Sequence, residues 1–179
     1  MIGPSSGLRD GAGYARRMSD VTAAYSRRAA EYTQLLGSME AVHPSDRRFV
    51  DSWAEMTSGR MLDAGCGPGH WTAYLSSRGF GVRGLDAVPA FLEHARAAYP
   101  DVRFDLGRID LLDEEDGALG GVLSWYSTIH HEPARIDVPL AEFARVLRPG
   151  GLLALGFFDG APLTSRPSRP YVFNANLNK

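Results

Sequence analysis

Two aspartates and a run of glycines carry the clearest chemical signal in this chain. Asp63 stands two residues before Gly65-Cys66-Gly67-Pro68-Gly69, a turn almost without side chains. Met61, Leu62 and Ala64 read as the end of a short apolar strand, and Trp71, Tyr74 and Leu75 recur at helical spacing. Strand, glycine turn and helix in that order let backbone come within touching distance of a nucleotide-like ligand. A second acid, Asp86, closes the next apolar strand, about twenty residues beyond the turn, where doubly wound folds grip the two hydroxyls of a ribose. A carboxylate can accept both hydroxyl protons. The plainer alternative is that Asp86 caps a helix starting at Pro89; the order and separation of the two signals favour the ligand role.

These groups need a scaffold, and the pattern supplies one. Strands are expected at 61–64, 82–86, 102–106, 121–125 and 152–158, with helices at 70–78, 89–99 and 137–147. Such alternation predicts an α/β fold, a doubly wound, mostly parallel Rossmann-like sheet with helices on both faces. Upstream, Ser19 or Asp20 opens a helix with Val21, Tyr25, Arg28, Tyr32, Leu35 and Met39 along one side. A second helix from about Pro44 to Gly59 turns Phe49, Val50, Trp53 and Met56 inward. The expected organisation is a mobile N-terminus at 1–19, a helical cap at 20–58, a ligand-binding core at 59–159 and an irregular tail at 160–179. Only residues 111–120 join the third and fourth strands, and the acids Asp113 to Asp116 there read as a solvated turn with a helix start.

Residues 60–159 resemble a class I S-adenosylmethionine-dependent methyltransferase of the small-molecule type. Asp63-Ala64-Gly65-Cys66-Gly67-Pro68-Gly69 matches that family's first motif and Leu85-Asp86 its second. Leu147-Arg148-Pro149-Gly150-Gly151 matches the turn leading into its fifth strand. The resemblance implies strand order 3-2-1-4-5, S-adenosyl-L-methionine as cofactor and S-adenosyl-L-homocysteine as product. It implies that Gly65, Gly67 and Gly69, with Ala64 and Cys66, wrap the methionine part, that Asp63 orients the turn near the ammonium group, and that Asp86 and Ala87 hold the ribose. Arg108 stands where the family usually has an acid for adenine, so either Asp110 substitutes or the guanidinium stacks on the ring, with Ile109 beside it. Trp71 and Trp125 are further cofactor candidates, Trp71 having a core role as its alternative. Tyr25 or Arg28 of a lid helix can reach the methionine carboxylate.

Methyl transfer needs alignment and exclusion of water more than bond activation. Ser124 to Glu132 follow the fourth strand on the usual ligand side. There Tyr126 is a candidate to hydrogen-bond cofactor or acceptor. His130 or His131 is a candidate base for an acceptor hydroxyl or amine, His130 being nearer the strand. The alternative is that one histidine packs and the other is solvated. His130, His131 and Glu132 lack a third metal ligand at fixed spacing, so no metal is expected. No Asn-Pro-Pro-aromatic run, Pro-Cys nucleophile or paired glutamates mark a nucleic-acid or protein-arginine enzyme. A nicotinamide-dependent oxidoreductase would want glycine where His70 stands, and would not need Asp63.

Composition narrows the partners. At 179 residues with net charge −2 there is no electrostatic case for nucleic acid or a membrane surface. The one cysteine, Cys66, excludes an internal disulfide and sits where a small side chain is needed rather than beside an activating base. No leader-like apolar run is present, so a cytoplasmic location is the expectation. After the fifth strand the family usually adds a helix and an antiparallel strand pair, and here only 160–179 remain, with Tyr171-Val172-Phe173 enough for one short strand. That would leave the fifth strand as an apolar edge, to be explained by an altered C-terminus, an irregular covering tail, or a homodimer through the edge. A cofactor-binding domain without catalysis is the alternative these features favour.

Overall fold

The computed structural model describes residues 28–35, 37–131, 133–157 and 171–174, with Gly13, Ala23 and Ser26 besides. Residues 28–35 are helical. Helix α1 (Pro44–Met56) starts at proline behind His43, whose ring nitrogen accepts the Ser45 amide. It buries Val50, Trp53 and Ala54, but Met56, expected inward, is 62% exposed. The inward stripe runs on instead through Thr57, whose hydroxyl donates to the Trp53 carbonyl at 2.7 Å.

Five parallel strands follow: β1 (Met61–Ala64), β2 (Val82–Asp86), β3 (Phe104–Leu106), β4 (Leu119–Trp125) and β5 (Leu147–Gly156). Helices α2 (His70–Ser77), α3 (Pro89–Ala98) and α4 (Asp137–Val146) alternate with them. The sheet order is β3-β2-β1-β4-β5-β6, where β6 (Tyr171–Asn174) is antiparallel to β5. Parallel strands need crossovers, and helices on both faces make those strands apolar throughout. All four residues of β1 are buried, Asp63 being the polar exception. One face packs Met61, Leu123 and Ala154 against α1 and α2, with Phe104 against α3; the other packs Leu62, Leu85, Val122 and Leu153 against Phe143 and Val146 of α4.

Three expectations change. β5 is not an edge: Leu152 to Leu155 pair with Asn174 to Tyr171, so of the three explanations the covering tail is the one seen, as a regular strand rather than an irregular segment. The strand also begins earlier than expected, because Leu147 pairs with Leu119 and Leu152 with Gly121. The motif Arg148 to Gly151 is therefore a bulge inside β5, with Gly150 at φ 78. Finally, no helix forms between β3 and β4. Glu114 is not solvated: its side chain is 9% exposed and ion-pairs with Arg83 at 2.7 Å. Arg145 of α4 holds the segment from beneath, donating to the carbonyls of Leu112 and Glu114.

Candidate functional site

The C-terminal ends of β1, β2, β3 and β4 converge on one end of the sheet, and the glycine turn sits at its centre. Its amides are fixed by the neighbouring strand: those of Gly65 and Cys66 both donate to the Leu85 carbonyl, at 2.7 and 3.0 Å. Gly65, Gly67 and Gly69 all have positive φ, 84, 53 and 88°. Two of them are glycine for packing as well. A Cβ on Gly65 would overlap Ser127, and one on Gly69 would come 2.7 Å from the Phe104 ring. Gly67 differs, since a Cβ there would meet nothing within 4 Å. The turn's open side lies at Gly67.

Asp86 holds that turn and the segment that leads into α3. Its Oδ2 accepts the Gly67 amide at 2.8 Å and its Oδ1 accepts the Val88 amide at 2.8 Å. Asp63 lies deeper, 1% exposed, and accepts the Thr72 hydroxyl at 2.7 Å. Burial pushes the Asp63 carboxyl up to about 7, opposed by the Thr72 hydroxyl and reinforced by the Asp86 charge. Burial raises Asp86 too, against the amides of Val88, Gly67 and Ala87. Among the described residues neither acid forms a salt bridge. Among the described residues the two acids are compensated only by hydrogen-bond donors, which leaves them able to meet a positive charge on a ligand. A ligand with a positive centre and a ribose fits this pair, Gly67 giving it backbone access. Cys66 is buried against Gly84 with its thiol pushed well up by burial, which fits a space-filling role.

The other expected ligand groups divide. Trp71 is 3% exposed and packs edge-on to Trp125 and Tyr74 in the core, so it is not a ligand wall. The Ile109 side chain is likewise core, packed with Leu85 and Leu112, leaving only its backbone for a ligand. Arg108 does not stand free to stack, because its guanidinium grips Asp110 through two bonds at 2.8 and 2.6 Å. Asp110 is thereby engaged and its side chain is 4% exposed. Trp125 is half-buried between Phe49, Trp71 and Tyr126. Ala87 lies in the turn between Asp86 and Val88, and its amide faces the Asp86 carboxylate. Tyr25 lies outside the described residues. Tyr32 and Ala29 of the N-terminal helical segment cover Val88 and Phe91, next to Asp86.

After β4 the chain makes an abrupt turn. Tyr126 has φ 57, the one non-glycine residue with positive φ among the described residues, and its amide donates to the Gly156 carbonyl at 3.0 Å. Ser127 then rests on Gly65, its hydroxyl 2.6 Å from that of Ser124. A 3-10 turn spans Thr128–His130. The His130 imidazole lies outside the described side chains. His131 turns inward, 7% exposed, beside the Arg108–Asp110 pair, with its imidazole lowered by burial against the Asp110 charge. It is a packed histidine. Thr72 and the Ser124–Ser127 pair went unnoticed in the sequence. Thr72 lies nine positions after Asp63 on the first turn of α2, which is the only signal it gave.

The methyltransferase domain family matches residues 61–151, half of the chain and the whole of this strand-turn-helix frame. The chain belongs to the S-adenosylmethionine-dependent methyltransferases. An uncharacterized methyltransferase of Mycobacterium tuberculosis is 35% identical over 121 residues, 67% of this chain and 49% of that protein. The malonyl-[acyl-carrier protein] O-methyltransferase of Serratia marcescens is 29% identical over 133 residues, 74% of this chain and 50% of its own. A solved TehB-like methyltransferase of Corynebacterium glutamicum superposes with a TM-score of 0.63 at 26% identity, covering 76% of this chain and 74% of that one. The chain spans about half the length of the curated relatives it matches. Membership makes S-adenosylmethionine the cofactor and sets aside the nicotinamide alternative, in keeping with His70 at the start of α2. No helix among the described residues is long and apolar enough to cross a membrane.

Proposed function

We propose that the protein transfers the methyl group of S-adenosylmethionine to an oxygen, nitrogen or carbon of a small-molecule acceptor. The observation that carries this is the pair of buried acids, Asp63 and Asp86, without a described cation partner on either side of an open glycine turn. When bound, the cofactor supplies an electrophilic methyl on a cationic sulfur. Asp86, braced by the Gly67 amide, would hold its ribose end and Asp63 would lie toward its ammonium group, the core beneath keeping water from that face. Tyr126 and the loop 126–131 form the acceptor side, with His130 proposed as base for an acceptor that must lose a proton. The acid-balanced charge of −2 supports a small acceptor over nucleic acid. The S. marcescens relative is named for an oxygen acceptor, which supports oxygen among the three.

Titration calorimetry with S-adenosylmethionine, S-adenosylhomocysteine and NAD on the parent and on Asp86→Ala tests the cofactor half. Binding of the first two, weakened at least tenfold in the variant, is the expected result. Binding of NAD alone would overturn the reading. An acceptor screen that reads S-adenosylhomocysteine release then tests catalysis, and saturable binding without any turnover would leave a binding domain instead.

A further inference from the structure

The glycine turn has a neighbour on each side at one level of the sheet. Ala64 is in register with Leu85 and Asp63 with Leu123, which sets Gly65 level with Asp86 on β2 and with Trp125 on β4. Two strand spacings, about 10 Å, separate the acid from the indole. Both side chains stand on the α2 face, because two residues before them lie Gly84, against Thr72, and Leu123, clustered with Trp71. Trp125 is the centre of a row of rings. Phe49 of α1 lies 5.7 Å from it, Trp71 5.9 Å and Tyr126 5.6 Å, the last two edge-on. Alternation along a strand would send Tyr126 to the other face, but the chain leaves the strand there at φ 57 and the ring stays with Trp125. Gly156 of β5 makes room for the indole, since a Cβ there would come 3.0 Å from two of its carbons. Trp71 is sealed beneath, whereas Phe49, Trp125 and Tyr126 are each partly exposed. The Trp125 indole N–H makes no hydrogen bond among the described residues and is not closed off from solvent, while that of Trp53 donates to the Leu152 carbonyl at 3.3 Å. The row carries no charge. His70, 6.1 Å from Trp71, is held neutral by burial. Arg47 and Arg78 are engaged by Tyr74, Asp51 and Glu55.

Partly exposed rings with one open donor fit a flat ring that carries an oxygen. A cation against them would face the sulfonium of the cofactor, and an anion would find no positive charge in the row. A flexible chain would give up rotamer freedom to lie there. We propose that Phe49, Trp125 and Tyr126 form the acceptor subsite, and that the acceptor is an uncharged planar aromatic alcohol whose oxygen accepts the Trp125 N–H. The inference rests on the methyltransferase reading and gives its acceptor a chemical class. Asp86 on one side of the turn and Trp125 on the other divide the site into a cofactor half and an acceptor half. Trp125 thereby belongs with the acceptor and not with the cofactor. Ser127, seated on Gly65, keeps the wall in register with the turn. In the transfer a lone pair of the hydroxyl oxygen forms the bond to the methyl carbon. The carbon–sulfur pair returns to sulfur as a neutral thioether, and the hydroxyl proton passes to solvent.

Calorimetry of the full chain saturated with S-adenosylhomocysteine, titrated at neutral pH with naphthol, naphthoate, naphthylmethylamine and octanol, reads the acceptor class. Naphthol is expected to bind about tenfold more tightly than each of the other probes. Phe49→Ala and Trp125→Ala should each weaken naphthol about tenfold and leave the affinity for S-adenosylhomocysteine within about twofold of the parent. Trp125→Phe keeps a ring and removes the donor, so it should bind naphthalene as the parent does and lose the preference for naphthol over naphthalene. With Phe49→Ala it serves if Trp125→Ala does not fold. Naphthol that binds no better than the other probes, or not at all, overturns the inference alone, as does naphthol affinity unchanged in the Trp125 variants. So does a Trp125→Ala that loses S-adenosylhomocysteine along with naphthol, which would set the indole against the cofactor. No binding of S-adenosylmethionine or S-adenosylhomocysteine to the parent overturns the methyltransferase reading and this inference with it.

Discussion

Ser127 rests directly on Gly65, so that the loop after β4 is keyed into the turn after β1 with no room for a side chain between them. The Ser124–Ser127 hydroxyl contact and the Tyr126 amide bond to Gly156 tie the same loop to its own strand and to β5. The glycine turn and the loop after β4 are therefore one rigid piece, which is what the proposed alignment of a methyl with its nucleophile requires.

The three turn glycines should separate under substitution by alanine. Gly65→Ala combines a φ of 84° with an overlap on Ser127, and should cost about 2–4 kcal/mol of stability. Gly67→Ala has φ 53 and open space, so about 1 kcal/mol is expected. Yet the added methyl stands where ligand must approach, and S-adenosylmethionine affinity should fall at least tenfold. Urea unfolding and calorimetry on both variants check this. Parent-like affinity in Gly67→Ala would place the ligand elsewhere.

Arg83 replaces a missing helix. Its guanidinium reaches Glu114 at 2.7 Å and Asp105 at 2.7 Å, with side chains of Arg83 and Glu114 only 14% and 9% exposed. Arg83→Met strands Glu114, leaving it only the exposed Arg60 at 3.7 Å. The expected loss is about 2–4 kcal/mol, most of it recovered in the double variant Arg83→Met with Glu114→Leu. Denaturant melts of the single and double variants decide, and a double variant as weak as the single would show that the pair is not the cause.

What could be read from sequence was what is local. The strand, glycine turn and helix at 61–77, the Asp86 strand end and the proline starts of α1 and α3 depend on neighbours in the chain, and they lie where expected. What could not be read depends on which face of the sheet a residue meets. Trp71 at helical spacing gave no sign that it points into the core rather than at the turn. Nor did the acids after β3 show that one of them, Glu114, would be drawn in by an arginine 31 positions earlier. β6 was legible only as three β-prone residues, because its role depends on where β5 lies.

Tyr126 reverses the usual rule that glycine destabilises relative to alanine. At φ 57 a side chain costs about 1–2 kcal/mol, and the tyrosine regains part of that through its edge contact with Trp125 at 5.6 Å. Tyr126→Ala keeps the strain and loses the ring, whereas Tyr126→Gly loses both. The glycine variant should be about 1 kcal/mol more stable than the alanine one. Equal melts would mean that the loop relaxes once the ring is gone.

Asp63 and His70 both contribute to the pH dependence of the ligand-free protein, alongside Asp86 and His131, and their signs differ. The folded Asp63 carboxyl, raised from 3.8 to about 7, holds a proton that the unfolded chain has lost, so stability declines as pH rises from about 4 to 7, by roughly 4 kcal/mol. The folded His70 imidazole, lowered from 6.5 to about 4, refuses a proton that the unfolded chain accepts, so stability declines as pH falls from 6.5 to about 4, by roughly 3 kcal/mol. Asp63→Asn should therefore melt above the parent at pH 8, with the gap closing toward pH 5, while His70→Gln flattens the acid side only. Saturating S-adenosylmethionine should invert the first comparison, because it stabilises the ionised parent by mass action and finds no charge in the variant. Thermal melts across pH 5–8, with and without cofactor, test both halves. A parent that outlasts Asp63→Asn at pH 8 without ligand would show that the buried acid carries no such cost, whereas the predicted inversion would mark Asp63 as a charge kept for binding at the expense of the empty fold.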